Sequence, residues 1–183
     1  MALATEIAGE ARSAGEVQFL GTFTNKLDSK GRLSVPADFR KMLLGANPDF
    51  DGFICARSLT RPVLECGGPA LLDHFMRQVS SIDEFDEDRE LIEEAFLASS
   101  QRLFFDETGR VSMPAEMREH CGLTTHATLV GRRGIFQIWH PDAYKQRMDK
   151  LGGVIARHSE TMRARTLPSM EKARQEKGGR RDG

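Results

Sequence analysis

The sequence predicts an α+β chain built from two copies of one unit, and three observations carry that prediction. First, Asp28-Ser-Lys-Gly-Arg32-Leu-Ser-Val-Pro36-Ala-Asp-Phe-Arg40 returns 78 residues later as Asp106-Glu-Thr-Gly-Arg110-Val-Ser-Met-Pro114-Ala-Glu-Met-Arg118. Seven of the thirteen positions are identical, where unrelated segments would share about one at ordinary residue frequencies. Second, each copy is bordered by short runs of strand-forming residues. Third, each copy passes into apolar spacing of helical period directly after a proline.

The elements follow in order. Phe19 to Leu27 is rich in strand formers, and Arg32 to Val35 alternates polar and apolar, so the intervening Asp-x-x-Gly-Arg turn is expected to join two strands in a hairpin. The aspartate can accept hydrogen bonds from the backbone two residues on, and glycine supplies the positive φ that other residues resist. Pro36 and Pro114 suit the first turn of a helix, where no backbone donor is missed. Phe39, Met42 and Leu43 mark the first such helix, Ala115, Met117 and Cys121 the second, with Gly45 and Gly122 as their expected ends. Each unit then closes with a strand pair. The first comprises Phe53 to Ala56 and Pro62 to Cys66; the second comprises Thr128 to Gly131 and Ile135 to Trp139, turning at Arg132-Arg133-Gly134. Between the units, Leu71, Leu72, Phe75, Met76 and Val79 share one helical face, and Leu91, Ile92, Ala95 and Phe96 share another. Pro141 is expected to open a last helix running to about residue 156, and both chain ends, small and polar or densely charged, read as disordered.

The domain reading is therefore a flexible extension at 1–16, a first unit at 17–97, a second at 98–156 and a basic tail at 157–183. No apolar run approaches the roughly 18 residues of a membrane crossing, and the opening residues lack the apolar stretch of a secretory signal. Cys55, Cys66 and Cys121 are odd in number and without C-x-x-C spacing, which predicts free thiols in a reducing cytoplasm.

The net charge of -1 seems to exclude a nucleic-acid partner, but it is a cancellation. Residues 17–44 carry +3 and residues 157–183 carry +4, against -7 over residues 82–94. The plain use of the acidic run is a solvated helix face.

Only the two Asp-x-x-Gly-Arg turns occur twice. A structural use accounts for them, an Asp-locked turn with its arginine merely exposed. A functional use accounts for them too: a stiff tip that presents a guanidinium can bond phosphate, or guanine in the major groove, in bidentate fashion. On that reading Arg32 and Arg110 are the DNA contacts. Lys30 and Lys26 add phosphate-binding charge, and Asp28, Gly31, Asp106 and Gly109 hold the turns. Glu107 and Thr108 replace Ser29 and Lys30 in the second copy, so the first turn is expected to be the stronger anion site.

An enzyme is the opposing class. His74, His120, His126, His140 and His158 are scattered without metal-ligand spacing, and no nucleophile elbow, Walker A or dinucleotide fingerprint occurs. His120 beside Cys121 cannot share a helix face with it. The expectation is no catalysis, no metal and no cofactor.

These residues carry a resemblance. Phe19-Leu-Gly, the run Leu27-Asp-Ser-Lys-Gly-Arg-Leu-Ser-Val-Pro-Ala, the second Asp106-x-x-Gly-Arg110, Leu129-Val-Gly and Phe136-Gln-Ile-Trp139 are similar to the MraZ family of bacterial transcriptional regulators, over about residues 17–156. The resemblance implies tandem AbrB-like swapped-hairpin units forming a pseudo-dimeric β-barrel with surrounding helices. It also implies a closed homo-oligomeric ring, and binding to direct repeats of double-stranded DNA in the promoter of the division and cell wall gene cluster, including the chain's own gene. The family's Asp-x-x-x-Arg signature falls on Asp28 with Arg32 and on Asp106 with Arg110. The extension, the tail and the turns at 59–62 and 132–134 depart from the pattern. A cytoplasmic, nucleoid-associated repressor is the leading expectation, with no membrane partner. The alternatives are a ring-forming assembly or interaction protein that uses the acidic helices, and an RNA-binding or antitoxin-like module.

Overall fold

The computed structural model describes residues 18–83 and 85–163. Among these, the residues up to Pro141 form one compact unit and those from Asp142 a second. The elements are β1 (Thr22–Lys26), β2 (Arg32–Ser34), α1 (Ala37–Ala46), β3 (Gly52–Arg57), β4 (Leu64–Gly67), α2 (Ala70–Val79) and α3 (Glu87–Ala98). The second copy supplies β5 (Gln101–Phe104), β6 (Arg110–Ser112), α4 (Ala115–Cys121), β7 (His126–Arg132) and β8 (Ile135–Trp139). The second unit holds α5 (Pro141–Asp149) and a further helix, α6 (151–163). The expectations of disorder at residues 1–16 and 164–183 lie outside the described residues, but residues 157–163, expected in a disordered tail, are helical, and the last helix breaks at Lys150 instead of running to about 156.

The fold is α+β, with a six-stranded antiparallel sheet in the order β1-β7-β8-β4-β3-β5 and a separate two-stranded ribbon, β2-β6. Most pairings cross between the two copies. Strands β3 and β4 pair within the first, as do β7 and β8 within the second, but β1 pairs with β7, β4 with β8, β3 with β5 and β2 with β6.

Further expectations change here. The first turn does not open a simple hairpin. After the single bridge between Leu27 and Leu33, β1 and β2 part and each takes a partner from the other copy. Among the described residues no closed barrel forms in the hydrogen bonding, because β1 and β5 remain sheet edges and the ribbon stands apart. Gly45 does not end α1 either. The helix runs through Ala46, and the Asn47 N–H closes it on the Leu43 carbonyl.

The prolines stand one position earlier than expected. Pro36 and Pro114 cap α1 and α4 in an extended conformation, with φ near -52 and -54, and their carbonyls accept the first helical bonds from Arg40 and Arg118. Gly122 ends α4 in the left-handed conformation at φ 65, as expected.

Alternation decides what each strand buries. In the ribbon Leu33 and Val111 face inward, and with Val35, Met113, Phe39 and Met117 they join Phe53, Leu64, Leu129, Phe136 and Ile138 in one core. Phe39 sits at its centre, with ring centroids 5.2 Å from Phe19 and 5.1 Å from Phe136. Each such fully buried side chain contributes about 1.5–3 kcal/mol relative to exposure. A satellite core lies under α2 and α3, where Leu71, Phe75, Val79 and Phe96 cover Ala56 and Ile135, and the Phe75 and Phe96 rings stack at 3.6 Å.

Candidate nucleic-acid interface

Both turns close with the same backbone bonds. The Asp28 N–H donates to the Arg32 carbonyl at 3.0 Å and the Gly31 N–H to the Asp28 carbonyl at 2.9 Å; in the second copy, Asp106 to Arg110 and Gly109 to Asp106 are both 2.8 Å. The aspartates lock these loops. Asp28 Oδ1 accepts the backbone N–H of Lys30 and of Arg32, each at 2.9 Å, and Asp106 Oδ1 accepts those of Thr108 and Arg110 at 2.9 and 3.0 Å. The Thr108 hydroxyl adds a bond of 2.7 Å that the first turn lacks. Donation to the ionised form favours ionisation, so the Arg32 N–H foremost holds the Asp28 carboxyl below its usual 3.8. The Arg110 N–H, then the Thr108 hydroxyl, pull Asp106 further down.

The arginines are clamped rather than free. Arg32 Nε donates to Asp28 Oδ2 at 2.7 Å, and Arg110 reaches Asp106 Oδ2 through Nε and Nη2, both at 2.9 Å. Each guanidinium is thereby held in one orientation with about a third of its side chain exposed, 31% for Arg32 and 34% for Arg110.

The ribbon brings the two turns onto one surface. Arg32 lies opposite Ser112 and Ser34 opposite Arg110. Leu33 and Val111 point to the core, so by the two-residue period both arginines and both serines share the outer face. Diagonal neighbours in such a pair are about 7–8 Å apart. Lys30 at the first tip and Lys26 at the end of β1 are exposed. The predicted arginines of the two copies thus meet on one two-stranded ribbon, while Lys30 lies at the first turn and Lys26 on β1 of the larger sheet.

The copies also brace each other, through residues that the sequence reading did not single out. The Val35 N–H donates to the Gly109 carbonyl at 3.1 Å and the Met113 N–H to the Gly31 carbonyl at 2.9 Å. Arg40 Nε donates to the Val35 carbonyl and Arg118 Nε to the Met113 carbonyl, both at 3.2 Å. Each of these guanidinium groups then lies against the opposite copy's turn glycine, Arg40 over Gly109 and Arg118 over Gly31. Their signal was present as the last identity of the repeat.

Elsewhere the polar groups serve the fold. Half-buried His120 has Nε2 3.1 Å from the Arg61 carbonyl. Burial pushes the Cys121 thiol up to about 12 and the Cys66 thiol well above its usual value, so neither provides thiolate at neutral pH. The described residues contain no group of side chains arranged to hold a metal ion, and none of their helices is long and apolar enough to cross a membrane.

A family model described as "MraZ protein, putative antitoxin-like" matches residues 96–166. Among similar proteins, the transcriptional regulator MraZ of Parvibaculum lavamentivorans is 41% identical over 127 residues, which is 69% of this chain and 78% of that one. The protein of the same name from Caulobacter vibrioides is 36% identical, over 69% and 80% of the two chains. That of Xanthobacter autotrophicus is 33% identical over 80% of this chain and 97% of its own.

Proposed function

The chain belongs to the MraZ family, and on that premise we propose that it is a transcriptional regulator that binds specific double-stranded DNA through the outer face of the β2-β6 ribbon. The observation that carries this reading is the register that sets Arg32 and Arg110 on one exposed face, each pre-oriented by its aspartate. A two-stranded ribbon fits the major groove, about 12 Å wide, and arginine is the side chain suited to guanine edges there. Lys30 and Lys26 bind phosphate beside the first turn. Pairing of β1 with β7 and β2 with β6 across the copies supports the reading of the halves as a swapped-hairpin pair.

One ribbon makes few contacts, and few contacts give weak, salt-sensitive binding. Assembly of copies into a closed ring presents several ribbons to successive direct repeats and turns weak contacts into avidity. The sites are the promoter repeats of the division and cell wall gene cluster, including the chain's own gene, where occupancy represses. The protein then works in the cytoplasm, at the nucleoid, without catalysis or cofactor.

Footprinting the purified protein on DNA upstream of its own gene tests this. The expected result is protection of a few evenly spaced direct repeats, weakening steeply with added salt. Uniform protection, or none at low salt, overturns the reading, and preferential competition by single-stranded RNA would replace DNA with RNA as the partner.

A further inference from the structure

A cavity of about 290 Å³ lies between the sheet and the α2–α3 pair, and all its walls belong to the first compact unit. That volume stands at the lower end of small-molecule sites. Strand alternation decides what reaches it. Leu64 and Phe136 turn to the core shared with the ribbon, so their neighbours Glu65, Ile135 and Gln137 turn to the other face, and Arg132, opposite Ile135, goes with them. Over that face α2 and α3 lay Phe75, Val79, Ile92 and Phe96 as an apolar wall. The loop after β3 adds Ser58 and Arg61, and the Ser58 N–H ties it by donating to the Val63 carbonyl at 3.0 Å.

Most polar groups around the cavity are already engaged. Glu65 Oε1 accepts from Gln137 Nε2 at 3.2 Å and pairs with Arg61 Nη2 at 3.8 Å. Gln137 Oε1 accepts from Trp139 Nε1 at 3.2 Å, and the Arg61 guanidinium lies 5.6 Å over the Trp139 ring. Glu65 is the one acidic residue among the described walls, and Arg61 neutralises it. Two groups are left over. Among the described residues the Ser58 hydroxyl has no hydrogen-bond partner although Ser58 is only 6% exposed, and the exposed Arg132 has no ion pair. The hydroxyl is not sealed by protein atoms, so its partner enters from the cavity.

We propose that this cavity is a binding site for a small amphipathic carboxylate. One uncompensated positive charge calls for one negative charge, and a guanidinium takes a carboxylate through two parallel bonds. The carboxylate sits on Arg132 and accepts from the Ser58 hydroxyl, while the apolar part of the ligand lies against Phe75, Ile92 and Phe96. The site is on the far side of the sheet from the ribbon and holds whether or not the ribbon binds DNA.

Calorimetric titration of the full-length protein with octanoate tests the site. The expected result is saturable binding at one site per chain, with octanol and octylammonium each bound at least about tenfold more weakly. Arg132→Ala is expected to weaken octanoate by a similar factor; the side chain is exposed, so its loss leaves the fold intact. Ser58→Ala should weaken octanoate about threefold or more without lowering thermal stability, because the hydroxyl leaves no partner behind. Lys41→Ala removes the same charge from the exposed side of α1 and should change nothing. Absence of saturable binding overturns the site, and equal affinity for octanol leaves an apolar cavity without a carboxylate anchor. Tighter binding of octylammonium transfers the anchor to Glu65 and overturns the assignment, and an equal loss in Lys41→Ala reduces it to bulk charge.

Discussion

The two Asp-x-x-Gly-Arg turns share one backbone and differ in charge. Each closes on the same pair of backbone bonds, holds its glycine at φ 74 or 75 and clamps its arginine to its aspartate. Since each Asp–Arg pair is neutral as a unit, the remaining residues set the sign. Residues 28–32 carry +1 through Lys30, whereas residues 106–110 carry -1 through Glu107. The geometry is the same in both copies, while only the first turn carries net positive charge. The lesson is that a clamped arginine orients a donor set but supplies little net field, so the neighbouring residue, Lys30 or Glu107, sets the sign of each turn.

Breaking the arginines should give the largest difference between the copies. Arg32→Ala is expected to weaken binding to the promoter repeats by about 1–3 kcal/mol per engaged ribbon, compounded by every ribbon in the assembly. Arg110→Ala should cost less, because Glu107 already opposes phosphate beside it. Glu107→Lys should narrow the gap between the turns and steepen the salt dependence. Fluorescence anisotropy on a labelled repeat at several salt concentrations, with sedimentation confirming an intact oligomer, measures all three. Equal losses for the two alanine variants would mean that turn charge does not matter.

Much of this was legible in the sequence. The repeat located both turns, and the β3–β4 and β7–β8 pairs and the helices after Pro36 and Pro114 stand where spacing put them. Strand partners were not legible. The residues of β1 and β2 are spaced for a hairpin, and nothing local says that β1 will pair with β7 and β2 with β6, since that choice depends on burying Leu33 and Val111 in a core shared by both copies. The free-standing arginine was likewise a local guess. The spacing that lets Asp28 accept the Arg32 backbone N–H also lets it capture the side chain.

The braces give the second test. Alanine at a positive φ is strained by about 1–2 kcal/mol, which applies equally to Gly31→Ala and Gly109→Ala. The surroundings differ. A methyl group at Gly31 would stand 3.1 Å from the Arg118 guanidinium, whereas at Gly109 it would overlap Arg40 and drive that side chain from the Val35 carbonyl. Thermal unfolding should therefore show both variants destabilised and Gly109→Ala the more so. Adding Arg40→Ala to Gly109→Ala should remove the collision and leave the φ cost. A double variant no less destabilised than expected from the sum of its parts would show that Arg40 does not meet this glycine.

The smallest effect concerns the hydroxyl that only the second turn has. Thr108 donates to Asp106 Oδ1, and the corresponding residue of the first turn, Lys30, gives its aspartate only a backbone N–H. Both carboxyls are held below 3.8, so the folded state prefers the ionised form. The stability this linkage contributes is full above the unfolded value and is lost as pH falls through the lower folded value. Asp106 should therefore lose its clamp at lower pH than Asp28. Thr108→Val should raise the Asp106 titration toward that of Asp28 and leave Asp28 unchanged, as read from carboxyl carbon shifts during an acid titration by NMR. Asp106 titrating at or above Asp28 in the unmodified protein would remove the hydroxyl from the account. At neutral pH both carboxylates are fully ionised, so the substitution should leave DNA affinity unchanged and separate the locking of the turn from its use.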